Sequence, residues 1–433
     1  VHRVLISLLV LCVAWLLPGG LAAAPDASAP PTQNLRHAHL SSLAGERDVE
    51  LPHILDTRDF AVSGGEVRYR LSITLDAPPQ RPLAILVRKM SLSGQLFLNG
   101  HALGPCERGP LQSMRCLHRP YLFVPPPSLW RVGENSIEFE IHATPHQSNG
   151  LAPVDVGDAD VLDAGAYRWR HWIQVEMVQT LTWLSLLLGV LSLAVGLILP
   201  RDSVYTWFGL ASISNALGNV NVLATYMGES VPLFAWFAFS SRMVSITLVF
   251  MMLLSFYGRL TVWKRRTALT YVVLAPLIIW LSDNQRSVVV ALYVPALLLV
   301  PAFVPAILRW SWLSGRRVHW VVALMTVGLF VVGILDFQRL RGQSSFEGVY
   351  LSTYAYAGML LLMGGLLMGL LASALGEATD LGMKLGDQVS ERTAALEAAV
   401  QRIRRMEQAA LKLTEHIPVG TYVIEKSAQG EVR

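Results

Sequence analysis

Seven long apolar runs follow one another from Val175 onward: 175–199, 204–226, 232–257, 267–281, 288–308, 318–337 and 349–374. A bilayer core about 30 Å thick asks for roughly 20 apolar residues per helix. Most of these runs supply that; the fourth is short and carries Pro276. Of the 433 residues, 53% are hydrophobic and only 15% charged, where soluble domains average about 25% charged. The expected class is a multi-pass membrane protein with soluble parts, its first partner a lipid bilayer. A net charge of +4 gives no reason to expect nucleic acid.

Positive charge on short loops sets the orientation of such a bundle. Alternate loops hold Arg201, then Arg259, Lys264, Arg265 and Arg266, then Arg309, Arg316 and Arg317. The opposite set carries Arg286, Arg339 and Arg341. The richer set belongs inside, which puts the region before Val175 outside the cytoplasm and the C-terminus within it. An odd number of spans is needed for that result, and seven satisfies it.

The N-terminus agrees. Residues 1–24 read as a signal peptide: Arg3 is basic, Val4 to Leu17 is apolar, Pro18-Gly19-Gly20 breaks the run and small residues reach Ala24. Cleavage fits after Ala22 or Ala23; an uncleaved anchor is the alternative. Bulky Leu11 before Cys12 argues against a lipoprotein cysteine. Outside the cytoplasm thiols oxidise, so the other two cysteines, Cys106 and Cys116, are expected to form a disulfide; two free buried thiols are the alternative. Residues 25–48 are rich in Ala, Pro and Ser and read as a linker.

From Val49 the period changes to two. Val67, Tyr69, Leu71, Ile73 and Leu75 alternate with polar residues, as do Ile137, Phe139 and Ile141, which marks strands with one wet face. Leu83 to Met90, Gln95 to Leu98 and Tyr121 to Val124 are further strands. Asn99-Gly100 is a type I′ hairpin signal. Short strands with turn punctuation predict an all-β sandwich over 49–165. The order GQLFLNGHALG, RPYLFVPPPSLW, RVGENSIEFEIHA resembles the jelly-roll modules related to galactose-binding domains. That resemblance implies a carbohydrate or other small periplasmic ligand, with His101, Arg119, Tyr121 and Trp130 as contacts; core packing for Tyr121 and Trp130 is the alternative. His142 and His146 lack a completing carboxylate, so no metal site and no cofactor are expected.

Within the spans, ionisable groups are sparse. Arg242 is expected to pair with Asp336 or Glu176, or else to extend toward the interface. Ser212, Asn215 and Asn219 share one helical face and either line a small cleft or join helices by hydrogen bonds. No protease motif occurs in the spans.

After the last run, Gly376, Gly382 and Gly386 should weaken the helix locally, as a signalling hinge. Residues 375–413 follow as a cytoplasmic helix. Val389, Thr393, Leu396, Val400, Ile403, Glu407 and Ala410 form a heptad seam of about three heptads, with Thr393 and Glu407 as imperfect members, which implies a coiled-coil homodimer; an amphipathic helix packed on another element is the alternative. The final residues 414–433 resemble the opening of a PAS domain, and a single hairpin cannot bury a core, so a longer chain is expected. The full order resembles the bacterial seven-transmembrane receptors with diverse intracellular signalling modules. That resemblance implies an inner-membrane receptor feeding a histidine kinase or diguanylate cyclase. The sequence carries no phosphoacceptor histidine box, nucleotide-binding glycine pattern or cyclase signature, so the chain itself is read as non-enzymatic. A transporter or lipid-handling protein with a periplasmic accessory domain is the alternative.

Overall fold

The computed structural model describes residues 32–61, 64–107, 109–110, 113–143, 149–198, 203–227, 230–340 and 346–415. The signal peptide, His146, Arg201, Arg341 and all of the PAS-like segment beyond Glu415 lie outside the described residues. The chain divides into two units, Val1–Leu367 and Met368–Arg433.

Among the described residues the first unit has twelve strands: β1 (Gln33–Leu35), β2 (His37–Ser42), β3 (Gly45–Glu50), β4 (His53–Ile54), β5 (Gly65–Leu75), β6 (Leu83–Val87), β7 (Ser93–Leu98), β8 (His101–Pro105), β9 (Tyr121–Phe123), β10 (Gly133–Ala143), β11 (Gly150–Leu151) and β12 (Val154–Asp158). One antiparallel sheet runs β3-β2-β5-β10-β7-β8 and a second runs β1-β12-β6-β9, with β11 and β4 as a small separate pair. Val67, Tyr69, Leu71 and Ile73 of β5 and Ile137, Phe139 and Ile141 of β10 are buried in one core with Ile85, Val87, Val154 and Val156 of the second sheet. Their neighbours on the wet face pair across the strands, Arg68 with Glu140 at 2.8 Å and Arg70 with Glu138 at 3.0 Å.

The linker expected over 25–48 is strand in its described part. Ala38 and Leu40 of β2 are buried while His37 and His39 are exposed, and β2 pairs with β5. Two inward residues were too few to stand out beside the polar β3.

The Asn99-Gly100 turn has φ of 51° and 80°, the double left-handed pattern of a type I′ hairpin. The Asn99 amide donates to Asn135 Oδ1 at 2.9 Å and to the Leu129 carbonyl at 2.8 Å, and its own oxygen accepts from the Ser136 N–H. The Asn-Gly and Gly-Glu-Asn turns that carry the jelly-roll resemblance thus bond to each other at one end of the sheet.

Strand β6 is buried on both faces. Ile85 and Val87 join the core between the sheets, whereas Ala84 and Leu86 meet Leu162 of helix α1, Ala159–Ile198. Strand β12 enters α1 without a connecting loop. Asp158 caps it, its carboxylate accepting from the N–H groups of Asp160 and Val161 at 3.0 and 3.2 Å. Two π-helical stretches, Asp163–Tyr167 and Trp172–Met177, interrupt α1 before it becomes regular.

Helices α2 (Ser203–Leu223), α3 (Val231–Phe256), α4 (Val262–Leu281), α5 (Arg286–Ser314), α6 (Arg317–Leu340) and α7 (Ser352–Glu415) follow. A helix lies within each segment read as a span, although 224–226 and 349–351 are not helical. Among the described residues four are long and apolar enough to cross a membrane, those holding Ala159–Ile198, Pro232–Phe256, Arg317–Arg339 and Ser352–Lys412. Helix α2 is made more polar by Ser212, Ser214, Asn215, Asn219 and Asn221. Small residues bring α1 and α2 together: a Cβ on Gly209 would sit 2.8 Å from the Gly189 carbonyl oxygen and from the Leu193 nitrogen.

Arg242 pairs with neither Asp336 nor Glu176. Its guanidinium donates to Asn215 Oδ1 and Asn219 Oδ1, both at 3.2 Å, and Asn219 donates to Thr182 at 3.0 Å. Antiparallel α2 and α3 put these amides beside Arg242. Asp336 instead holds Arg339 at 2.8 Å and accepts from the N–H groups of Leu351 and Ser352 at 3.0 and 2.6 Å, so it caps the start of α7.

In the second unit the described residues, Met368 to Glu415, are helical throughout. Gly376, Gly382 and Gly386 sit inside that helix with open space where a Cβ would lie; the expected local weakening does not break it. Val389, Leu396, Val400 and Ile403 of the heptad seam are exposed.

Packing at Gly209 gives a direct prediction. Gly209→Ala must push two backbones apart and should cost about 1–3 kcal/mol, seen as a lower thermal midpoint in detergent. Gly376→Ala, with room around it, should leave that midpoint unchanged or raise it slightly.

Candidate functional site

The loop closed by the Cys106–Cys116 disulfide ends in a short segment, Ser113 to Cys116, that is buried although it carries a cation. The reason is its neighbour. Residues 113–115 pair edge to edge with residues 225–227, which connect α2 to α3: the Arg115 N–H donates to the Thr225 carbonyl at 2.9 Å, the Met227 N–H donates to the Ser113 carbonyl at 2.9 Å, and Met114 bridges Tyr226. The disulfide therefore shapes a docking edge of the sheet domain. Cys116 also donates its N–H to the Leu92 carbonyl at 2.7 Å, tying that edge to the sandwich.

Arg115 locks the edge. Only 5% exposed, its guanidinium donates to the Asn221 carbonyl at 2.8 Å and to Asn221 Oδ1 at 2.7 Å. It lies 5.2 Å from the Phe234 ring centroid. Burial without a carboxylate pushes its pKa down to about 10, still charged at neutral pH. Arg119 adds a bond to the Leu223 carbonyl at 2.7 Å.

A second loop, before α7, docks beside the first. Phe346 is buried against Leu92, Leu117 and Ala152 of the sheet domain. Glu347 accepts from Arg88 at 3.1 Å and from Arg170 at 2.9 Å, and Arg88 also grips Asp155 at 2.7 Å. Lys89 donates to the Gly348 carbonyl at 3.0 Å and lies 5.0 Å from the Phe346 ring centroid.

Between the two contacts lies a small cavity of about 20 Å³. Lys89, Leu117 and His118 line it from the sheet domain, Gln174 and Val178 from α1, Val222 from α2, and Tyr350, Thr353 and Tyr354 from the start of α7. A site of that size has room for at least one water molecule. Burial, with Arg115, Lys89 and Arg119 nearby, holds His118 well below the usual imidazole range and therefore neutral. Burial and the charge of Arg339 lower Lys89 to about 8. Just above, Tyr354 donates to the Ile173 carbonyl at 3.0 Å. That acceptor lies in the second π-helical stretch of α1, a kind of irregularity common at functional sites.

The four residues expected to contact a ligand do not come together. Trp130 is in the sandwich core. His101 is exposed beside the Asn99-Gly100 turn. Tyr121 and Arg119 share Glu107, at 3.2 and 3.4 Å, and Arg119 reaches the bundle. Ser212, Asn215 and Asn219 are all fully buried on one face of α2, and the two asparagines are joined through Arg242. Sequence reading missed Lys89, Arg115, His118, Gln174 and Thr353. The one available signal was Arg115 inside the cysteine loop, a cation between apolar Met114 and Leu117.

No family model matches the chain, and no curated protein matches it. Among solved structures, β-glucuronidase from Ruminococcus gnavus in complex with C6-substituted uronic isofagomine aligns at 14% identity over 32% of this chain and 30% of that chain, with a TM-score of 0.25. Its complex with D-glucuronic acid aligns at 14% identity, 32% and 31% coverage and the same TM-score of 0.25. The chain spans under a third of that enzyme's length, and a likeness this slight bears on neither fold nor activity.

The docking edge is testable in native membranes. Met114→Cys with Tyr226→Cys should cross-link under mild oxidation, with the bond mapped by mass spectrometry. Removing the native disulfide by Cys106→Ser and Cys116→Ser should cost roughly 2–3 kcal/mol and reduce the cross-link yield.

Proposed function

We propose that the chain is a signal-transducing receptor of the bacterial inner membrane. In this reading the sheet domain is a periplasmic jelly-roll module, the seven helices span the bilayer, and residues 375–413 form a cytoplasmic coiled coil in a homodimer. A small periplasmic molecule, such as a carbohydrate, is the input. The output in this reading is a cytoplasmic module, a histidine kinase or diguanylate cyclase reached through a PAS domain.

One observation carries the reading. Strand β12 continues into α1, and α1 meets the first turn of α7 through the Tyr354 to Ile173 hydrogen bond. The helix that enters from the sheet domain and the helix that leaves the bundle are in direct contact beneath the same domain. A ligand that binds one arrangement of this contact better than the other shifts the population by its differential affinity. Rotation or sliding of α7 then alters the exposed seam of Val389, Leu396, Val400 and Ile403 in the dimer. The loop charges support the placement of the sheet domain outside, and the scarcity of ionisable groups in the bundle weighs against ion-coupled transport.

Two experiments follow. Single cysteines at Leu396 or Ile403 should form dimers in membranes, while cysteines at Glu397 or Arg404 should do so poorly; equal yields would remove the coiled coil. With a cytoplasmic output module fused after Arg433, replacing Gly376, Gly382 and Gly386 together by Ala, or Tyr354→Phe alone, should change the output level while the protein still reaches the membrane. Unchanged output in both would count against the receptor reading.

A further inference from the structure

A cation lies within the helical bundle with no acid to balance it. Arg242 stands near the middle of Pro232–Phe256, a helix long and apolar enough to cross a membrane. Ionisable groups at such a position usually face a bundle interior or a cavity and mark the path of a substrate or ion. Among the described residues its guanidinium meets two amides, Asn215 and Asn219, each at 3.2 Å, and no carboxylate. Those bonds use only part of its five N–H groups. The side chain is only half-buried, so open space adjoins it. Tyr356 of α7 feels its charge, and no Asp or Glu among the described residues acts on that phenol.

Donors beside it are left over. The Asn215 amide nitrogen, on the carboxamide whose oxygen Arg242 holds, has no hydrogen-bond partner, and neither has the Ser185 hydroxyl of α1. Both residues are 0% exposed, and buried amides and hydroxyls ordinarily find a partner. The Thr182–Asn219 hydrogen bond sets the register between antiparallel α1 and α2. One helical turn further in, that register brings Ser185 level with Asn215. One turn the other way, Val178 of α1, Val222 of α2 and Thr353 of α7 line the cavity beneath the sheet domain. Thr182, Asn219 and Tyr356 follow them on the same three helices, so the cavity sits one turn above the groups around Arg242.

We propose that Arg242 is the counter-charge for the carboxylate of a small ligand bound inside the bundle, with the Asn215 amide and the Ser185 hydroxyl as further donors. A guanidinium fork matches a carboxylate with two parallel hydrogen bonds. One cation balances one negative charge, which favours a carboxylate over a phosphate dianion. Asn215 and Asn219 hold the fork in place, and the ligand takes the N–H groups that they leave free. Val178 and Val222 above suit an apolar body behind the carboxylate. Such a group comes either from water, through the cavity, or from a fatty acid in the bilayer. The site does not depend on the receptor reading, and its test measures binding rather than signalling.

The full chain in lipid nanodiscs is compared with benzoate and hexanoate, with their neutral amides, and with palmitate. Benzoate or hexanoate should raise the thermal midpoint by a few degrees, saturably, as ligand linkage requires, while benzamide and hexanamide should not. A shift with palmitate alone, lost in the variants below, would keep the carboxylate at Arg242 and name the bilayer as its source. Arg242→Gln should abolish the shift. So should Asn215→Asp, which sets a carboxylate of the protein's own against the guanidinium; this variant keeps the test open if the first fails to fold. No shift with any of the three acids, or equal shifts with acids and amides, would overturn the proposal. A shift retained in Asn215→Asp would place the carboxylate elsewhere and would overturn it equally.

Discussion

Arg115 is the constraint on which the rest depends. A guanidinium is among the most expensive groups to remove from water, and this one is almost wholly buried with neutral partners. Its cost is offset by donating to both oxygens of Asn221 and by the edge-to-edge pairing of residues 113–115 with 225–227. Those bonds exist only when the sheet domain sits on the bundle. Separating the two would expose paired backbone groups and hydrate the guanidinium, but it would also bare Phe346, Leu92 and Leu117. The contact is thus polar in the bonds that orient it and apolar in the area that it hides.

That arrangement explains why the cavity exists where it does. Two loops reach up from the bundle and each satisfies its own polar groups against the sheet domain. The space between them is bounded by residues that have no reason to bond with one another. Lys89, His118, Gln174 and Thr353 come from three different parts of the chain. The π-helical stretch of α1 fits the same picture. It leaves the Ile173 carbonyl available, and Tyr354 satisfies it from the first turn of α7.

Much of this fold was legible in the sequence. Alternation in β5 and β10, the Asn99-Gly100 turn and the helical segments all follow from periods and turn chemistry that act locally. The Cys106–Cys116 pairing followed from compartment and proximity. What the sequence could not reveal was contact between distant segments. Arg242 was expected to seek an acid because charge dominates a reading without geometry, whereas two amides one turn apart on α2 were closer. Arg119 looked like a ligand contact because nothing in one dimension indicates that it faces the end of α2. Lys89 was hidden at the end of an apolar strand, and His118 followed the second cysteine without a motif of its own. Residues 33–48 passed for linker because the polar β3 masked the two inward side chains of β2.

The central claim is that the sheet domain is fastened to the bundle so that a change at the docking edge reaches the first turn of α7. Hydrogen–deuterium exchange on the full chain in lipid nanodiscs, wild type against Arg115→Ala, measures this most directly. The account predicts faster exchange at 113–116 and 224–227 and also, more than one contact away, at 172–177 and 350–355. Faster exchange confined to the docking edge, with 172–177 and 350–355 unchanged, would contradict it.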